Sequence, residues 1–215
     1  FSLLYFVKSP FWLRKIYNNC VWKVKTQEKV VFLTFDDGPH PQITLFVLEQ
    51  LKRYNAKASF FCIGDNVSKY PEVYNSIIEN GHAVGNHTHN HLNGWKHNDE
   101  SYFENVSCAS QLIESKLFRP PYGKVTFSQL RKIRNSELAL TTVMWSVLSG
   151  DFDSRISGKQ CYENVICNVG EGDIVVFHDS EKAKERLTEA LPLVLEKLTK
   201  EGYVFKSLQQ DLFRF

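Results

Sequence analysis

At 215 residues the chain favours one large domain over two small ones, since domains average about 150 residues. Its hydrophobic fraction of 43% and charged fraction of 23% exclude a disordered or fibrous chain, and a core of this size needs neither disulfides nor metal to fold. A balance of 26 Lys+Arg against 24 Asp+Glu gives a net charge of +2 with no basic block, so neither a nucleic acid nor an anionic membrane is an expected partner.

No apolar run approaches the ~18 residues of a transmembrane helix; the richest windows, Phe1–Val7 and Val143–Leu148, are far shorter. The five cysteines, Cys20, Cys62, Cys108, Cys161 and Cys167, form no CxxC pair, and most read as reduced core residues. The chain opens on Phe1 rather than Met, which is compatible with a removed leader and leaves the compartment, cytoplasm or cell envelope, undecided. The 16 Phe, 9 Tyr and 4 Trp residues amount to 13%, a surplus that composition alone does not divide between core and binding groove.

In chain order, Lys29–Phe35 is a β-branched and aromatic run that ends at Asp36-Asp37-Gly38-Pro39, a strand followed by a turn. Apolar residues at 43, 47, 48 and 51 have helical spacing over Ile43–Tyr54. Ala58–Ile63 reads as a strand stopped by Gly64, and Pro71 opens a helix that runs to Asn80 and stops at Gly81. A short strand at Ala83–Val84 follows. Ser101 and Glu104 suggest a capping box for a helix to about Leu117, with Phe118 a short buried segment. Ser128–Asn135 reads as helix, Leu138–Val147 as strand, Lys159–Val169 as helix and Ile174–Phe177 as strand. Ala183–Lys200 is a long helix and Tyr203–Ser207 the last strand. Strands that alternate with helices predict βα units with parallel pairing: an α/β fold, one small (β/α) barrel of seven or eight strands.

Chemistry in such a sheet collects at the C-terminal strand ends. Five of these ends deliver ionisable residues: Asp36 and Asp37, His87–His91, Arg119, Asp151 and His178. Adjacent residues leaving a strand point to different sides, so Asp36 and Asp37 can serve separate tasks, one as a base and one on a cation. Three imidazoles within His87-Thr-His-Asn-His91 favour a divalent metal. A helical turn would pair His87 with His91, and an extended segment would align His87, His89 and His91. The Asn, Thr and Gly residues around them favour a tight turn, and with it His87 and His91 plus Asp37. His40, His82 and His97 are not expected as ligands. A base and a separate acid make the minimal hydrolytic pair, and Asp36 and His178 suit those roles, with Arg119 and Asp151 as their partners. Arg119-Pro-Pro-Tyr-Gly123 reads as a rigid turn that displays an aromatic ring and backbone N–H groups fit for an oxyanion.

Thr34-Phe-Asp-Asp-Gly38, His87-Thr-His-Asn-His91, Arg119-Pro-Pro-Tyr-Gly123, Trp145 to Asp151 and Val176-Phe-His178 resemble, in order, the five motifs of the polysaccharide deacetylases. This is the NodB-homology group, carbohydrate esterase family 4, and the resemblance runs from about Glu28 to Leu208. It also takes in Ala58–Gly64 and Gly81–Asn86. It implies a distorted (β/α) barrel over residues 28–215, with residues 1–27 as a flanking segment, and metal-dependent removal of acetyl groups from N-acetylated amino sugars. By position, Asp36 matches the catalytic base, Asp37, His87 and His91 the ligands of one divalent ion (zinc, with cobalt or nickel also suited), and Arg119 the residue that holds the base. Tyr122 matches the residue whose backbone N–H binds the oxyanion, Asp151 the partner of the catalytic His, and His178 the general acid.

Two motifs depart from the family pattern. Where Asp-x-x-Asp-Trp is usual, this chain has Leu148-Ser-Gly-Asp151-Phe152, and a smaller Val176 stands where Leu usually lines the acetyl-methyl pocket. The catalytic set is complete while the groove differs, and Phe152, Tyr122 and Trp95 are the candidates to stack on sugar. The same fold and metal site acting on O-acetyl esters or a non-sugar amide, and a non-catalytic carbohydrate binder, are the alternative readings.

Overall fold

The computed structural model describes residues 5–213 of the chain. Eight strands form one sheet: β1 (Val30–Asp36), β2 (Ser59–Cys62), β3 (Ala83–Asn86), β4 (Leu117–Phe118), β5 (Thr141–Thr142), β6 (Val147–Leu148), β7 (Ile174–His178) and β8 (Val204–Phe205). Their order is β5-β4-β3-β2-β1-β7-β6, with β8 paired to β1, and each of these pairings is parallel. The expected α/β architecture, a curled (β/α) barrel, is thereby the observed one.

Eight helices accompany the strands: α1 (Phe11–Ile16), α2 (Ile43–Arg53), α3 (Gly64–Lys69), α4 (Pro71–Glu79), α5 (Asp99–Ser110), α6 (Phe127–Asn135), α7 (Gly158–Ile166) and α8 (Lys184–Lys200). The period-two alternation of β1 divides its side chains between two cores. Val31, Leu33 and Phe35 join Val175 and Phe177 of β7 under the apolar faces of α2, α7 and α8. Phe32 meets Phe61, Val143 and Ile174 inside the barrel. A third cluster, around Tyr102, Phe118 and Ile133, seats α5 and α6 beside β4 and β5. Phe32, Phe35, Phe60 and Phe61 are all buried, so much of the aromatic surplus fills core.

Three expected elements take a different form. Leu138–Val147 is not one strand: β5 and β6 are two residues each, and the carbonyls of Val143 and Met144 between them accept from the Arg119 guanidinium. The helix expected from Ser101 to Leu117 ends at Ser110, and its cap is Asn98, whose side chain accepts from Ser101 N–H. The six-residue α3 begins at Gly64, where only a strand stop was expected.

The gap between β5 and β6 is bridged by the N-terminal segment. Val21 pairs with Val143 in parallel and Lys8 with Val147 antiparallel, while Cys20, Val21, Trp22 and Val24 are buried. The five cysteines are free, with Cys20, Cys62 and Cys161 buried. Among the described residues no helix is long and apolar enough to cross a membrane.

Candidate active site and metal centre

Register aligns the chemistry. Asp36 at the end of β1 lies opposite His178 at the end of β7, and Cys62 opposite Asn86, which in turn is level with Phe118. The residues that follow these ends, Asp37, His87 and Arg119, therefore meet on one rim.

Asp36 and Arg119 are both buried, and Arg119 Nη1 donates to Asp36 Oδ1 at 2.7 Å. A fully buried guanidinium must place all its donors. Nη1 also reaches Thr34 Oγ1 at 2.7 Å, Nε donates to Val143 O at 3.1 Å and Nη2 to Met144 O at 3.0 Å. Its carbon lies 4.0 Å from the centroid of the Phe61 ring, a cation–π contact that fixes the remaining face.

Asp37 turns away from Asp36 through a left-handed φ of 80°. Its Oδ1 stands 3.1 Å from His91 Nε2 and 3.6 Å from His87 Nε2, and the three ligand atoms of this group lie within 4.8 Å of one another. His87 Nδ1 is 2.8 Å from the Arg119 carbonyl. Donation there places the lone pair of Nε2 towards Asp37, the tautomer a metal-ligating imidazole takes. Asp37 Oδ1 is buried yet accepts no hydrogen bond. Ligands of one tetrahedral ion with bonds near 2.1 Å stand about 3.4 Å apart, so this donor set has the spacing of atoms that share a cation.

The histidine segment is neither helix nor strand. Thr88 and His91 adopt φ of 65° and 55°, which return His91 to the side of His87. His89 lies against Gly64, away from Asp37. Asn86 anchors the start of the loop by accepting from Thr88 N–H, and Asn105 accepts from the N–H groups of His89 and Asn90. With Tyr122 at 61°, four of the six left-handed non-glycine residues among the described residues lie at this site, where backbone strain commonly concentrates.

On the other side of the rim, His178 Nδ1 and Asp151 Oδ1 are 2.7 Å apart, and Asp151 Oδ2 accepts the His178 N–H at 2.7 Å. Burial would push this imidazole down. The charge and hydrogen bond of Asp151, aided by Asp37 and Asp36, outweigh it and raise His178 to about 9. Tyr122 is exposed, its ring 4.6 Å from His91. Phe152 meets His178 edge-on at 5.3 Å. Val176 is buried inside the barrel, level with Thr34 and two residues before His178, so it stands beneath the site. Trp95 is exposed, anchored by its Nε1 donating to Val125 O at 3.2 Å.

The remaining histidines have structural partners. His40 Nδ1 accepts from Gln42 and Ile43 N–H at the entry to α2, His82 Nδ1 from Ala58 N–H, and His97 Nδ1 lies 2.9 Å from Asn93 O. Sequence reasoning missed Asp179 and Thr34. Asp179 is buried; its carboxylate accepts from Gly38 N–H and Thr44 Oγ1, tying the Asp36–Pro39 turn to α2, and burial pushes it up to about 7. Thr34 was visible as the one hydroxyl in the mostly apolar run that leads to Asp36.

Known proteins share this framework. The family model described as polysaccharide deacetylase matches residues 23–140. The chain is 34% identical over 197 residues to a peptidoglycan-N-acetylglucosamine deacetylase of Bacillus cereus, covering 89% of this chain and 92% of that one. It is 30% identical over 193 residues to the peptidoglycan-N-acetylmuramic acid deacetylase PdaC of Bacillus subtilis, covering 87% of this chain but 39% of that longer protein. Among solved structures, that of the Bc1960 peptidoglycan N-acetylglucosamine deacetylase in complex with 4-naphthalen-1-yl-N-oxidanyl-benzamide superposes with a TM-score of 0.83 at 29% identity, covering 93% of this chain and 95% of that one. The chain belongs to the polysaccharide deacetylase family, carbohydrate esterase family 4, and is an enzyme of the carbohydrate deacetylase class.

Proposed function

We propose that this protein is a metal-dependent hydrolase that removes N-acetyl groups from an amino-sugar-containing poly- or oligosaccharide. The observation that carries the reading is the placement of the Asp37–His87–His91 group between two supported proton-transfer residues, Asp36 on Arg119 and His178 on Asp151. Two imidazoles and a carboxylate suit one zinc ion, with cobalt or nickel also accommodated, and leave positions open for water and substrate. Such an ion, when bound, supplies Lewis acidity and lowers the pKa of water.

The residues of the chain do the rest. Asp36, oriented through Oδ1 by Arg119, takes the proton of the water that attacks the acetyl carbonyl. The backbone N–H of Tyr122, on its left-handed turn, stabilises the negative charge developing on the carbonyl oxygen. His178, held charged by Asp151, protonates the departing amine through Nε2. Phe152 and Val176 border the space in which the acetylated sugar is held.

The named relatives act on different sugars of peptidoglycan, so the particular amino sugar does not follow from kinship. The test is acetate release from N-acetylglucosamine oligomers by the wild type and by Asp36→Asn and His178→Ala variants. Each variant is expected to lose about 100-fold or more of kcat, the usual share of general acid–base catalysis. Wild-type rates in either variant would overturn these assignments, and a wild type that binds the oligomers without releasing acetate would favour the non-catalytic binder.

A further inference from the structure

The N-terminal segment reaches the same rim. Residues 7–9 run antiparallel beside β6: Leu148 N–H donates to Val7 O at 2.8 Å, Lys8 bridges to Val147, and Ser9 N–H donates to Ser146 O at 2.9 Å. Because β6 points towards the rim, its antiparallel neighbour carries the residues before Val7 in that direction. Tyr5 arrives beside the turn that bears Asp151 and Phe152. Its ring centroid is 5.1 Å from that of Phe152, tilted by 60°, and Phe152 in turn meets His178.

The turn is shaped to receive this ring. Gly150 has φ of 80°, and a Cβ there would stand 2.8 Å from the Tyr5 hydroxyl. Asp153 flanks that hydroxyl, and its carboxylate is gripped by Arg155 through Nε at 2.8 Å and Nη2 at 2.6 Å. Tyr5 and Phe152 are each half-buried, so both rings are packed and each keeps part of its surface free. Fixed aromatic rings bind a partner without the entropy cost of immobilising a mobile side chain.

We infer that Tyr5 and Phe152 form one two-ring ledge beside His178 that takes the sugar unit next to the one being deacetylated, so that the N-terminal segment sets a preference for oligomers over a single sugar. This rests on the reading of the site as a carbohydrate deacetylase. Tyr5 is then a specificity-determining residue supplied from outside the stretch that carries the family motifs, and it extends the shorter Phe152 that replaces the usual Trp.

The experiment is the chain-length dependence of kcat/KM for acetate release, from N-acetylglucosamine through its oligomers, in the wild type and in Tyr5→Ala, Tyr5→Leu and Tyr5→Phe, with Tm recorded for each. In Tyr5→Ala the loss is expected to grow with length, reaching about fivefold to tenfold more on long oligomers than on the single sugar, mostly through KM. Tyr5→Phe keeps the ring and should keep the length preference; Tyr5→Leu fills the space without a ring and serves if the Ala variant does not fold. A loss equal at all lengths, with lowered Tm, would make Tyr5 structural and overturn the inference. So would an unchanged length profile in a folded Ala or Leu variant. If the wild type releases no acetate from any oligomer, the parent reading fails and the ledge falls with it; an active wild type matched by Tyr5→Ala overturns the ledge alone.

Discussion

Asp36 and Asp37 are neighbours in the chain, yet one faces a buried guanidinium and the other two imidazoles. A single change of backbone hand at Asp37 makes the separation. The opposite pole is His178, raised to about 9 chiefly by Asp151 against the effect of burial. An acid that must be protonated works below its pKa, so deacetylation should decline as pH rises through about 9. The stabilisation from this ion pair follows the same sign: it is complete below the 6.5 of a free imidazole and is lost as pH climbs to about 9. A cation on Asp37 cancels that carboxylate's share of the raise, which places the limb of the loaded enzyme somewhat below 9. Asp151→Asn should move the alkaline limb of kcat/KM down towards 6.5, and a limb that stays in place would show that Asp151 does not hold His178 charged.

The elements that position these residues are short, and their exact extent was the least legible feature of the sequence. Leu138–Val147 consists largely of β-forming residues and reads as one strand. It divides because two of its carbonyls turn to the Arg119 guanidinium, a demand made by a residue 24 and 25 positions earlier. The cap of α5 was misplaced by a similar ambiguity, since Asn98 and Ser101 are both good caps and only the structure shows which side chain accepts. Within β3, Gly85 lies flat against the Phe61 ring, where a Cβ would stand 2.5 Å from Cδ1. That ring also carries Arg119, so it has nowhere to move. Gly85→Ala should therefore cost about 1–3 kcal/mol of stability and lower activity as Arg119 shifts from Asp36. Urea unfolding reads the first effect, and an unchanged midpoint would contradict this account of the β3 contact.

At the scale of the whole molecule, the parallel βα order and the convergence of five strand ends were legible because hydrophobic runs and their polar ends are local signals. The choice of His91 over His89 rested on the turn-forming Asn, Thr and Gly residues around them, but the left-handed backbone at Thr88 and His91 that makes the turn is one a β-branched Thr disfavours. The N-terminal segment was the least legible part, because its contacts to residues near 143–153 depend on the closed sheet rather than on local pattern. All of these placements serve one claim, that the Asp37–His87–His91 group holds the ion required for deacetylation. The direct test is acetate release from N-acetylglucosamine oligomers by chelator-treated protein, before and after stoichiometric zinc, cobalt or nickel. Activity should disappear on chelation and return with one equivalent of metal in the wild type but not in His87→Ala. Acetate release that survives complete removal of metal would contradict it.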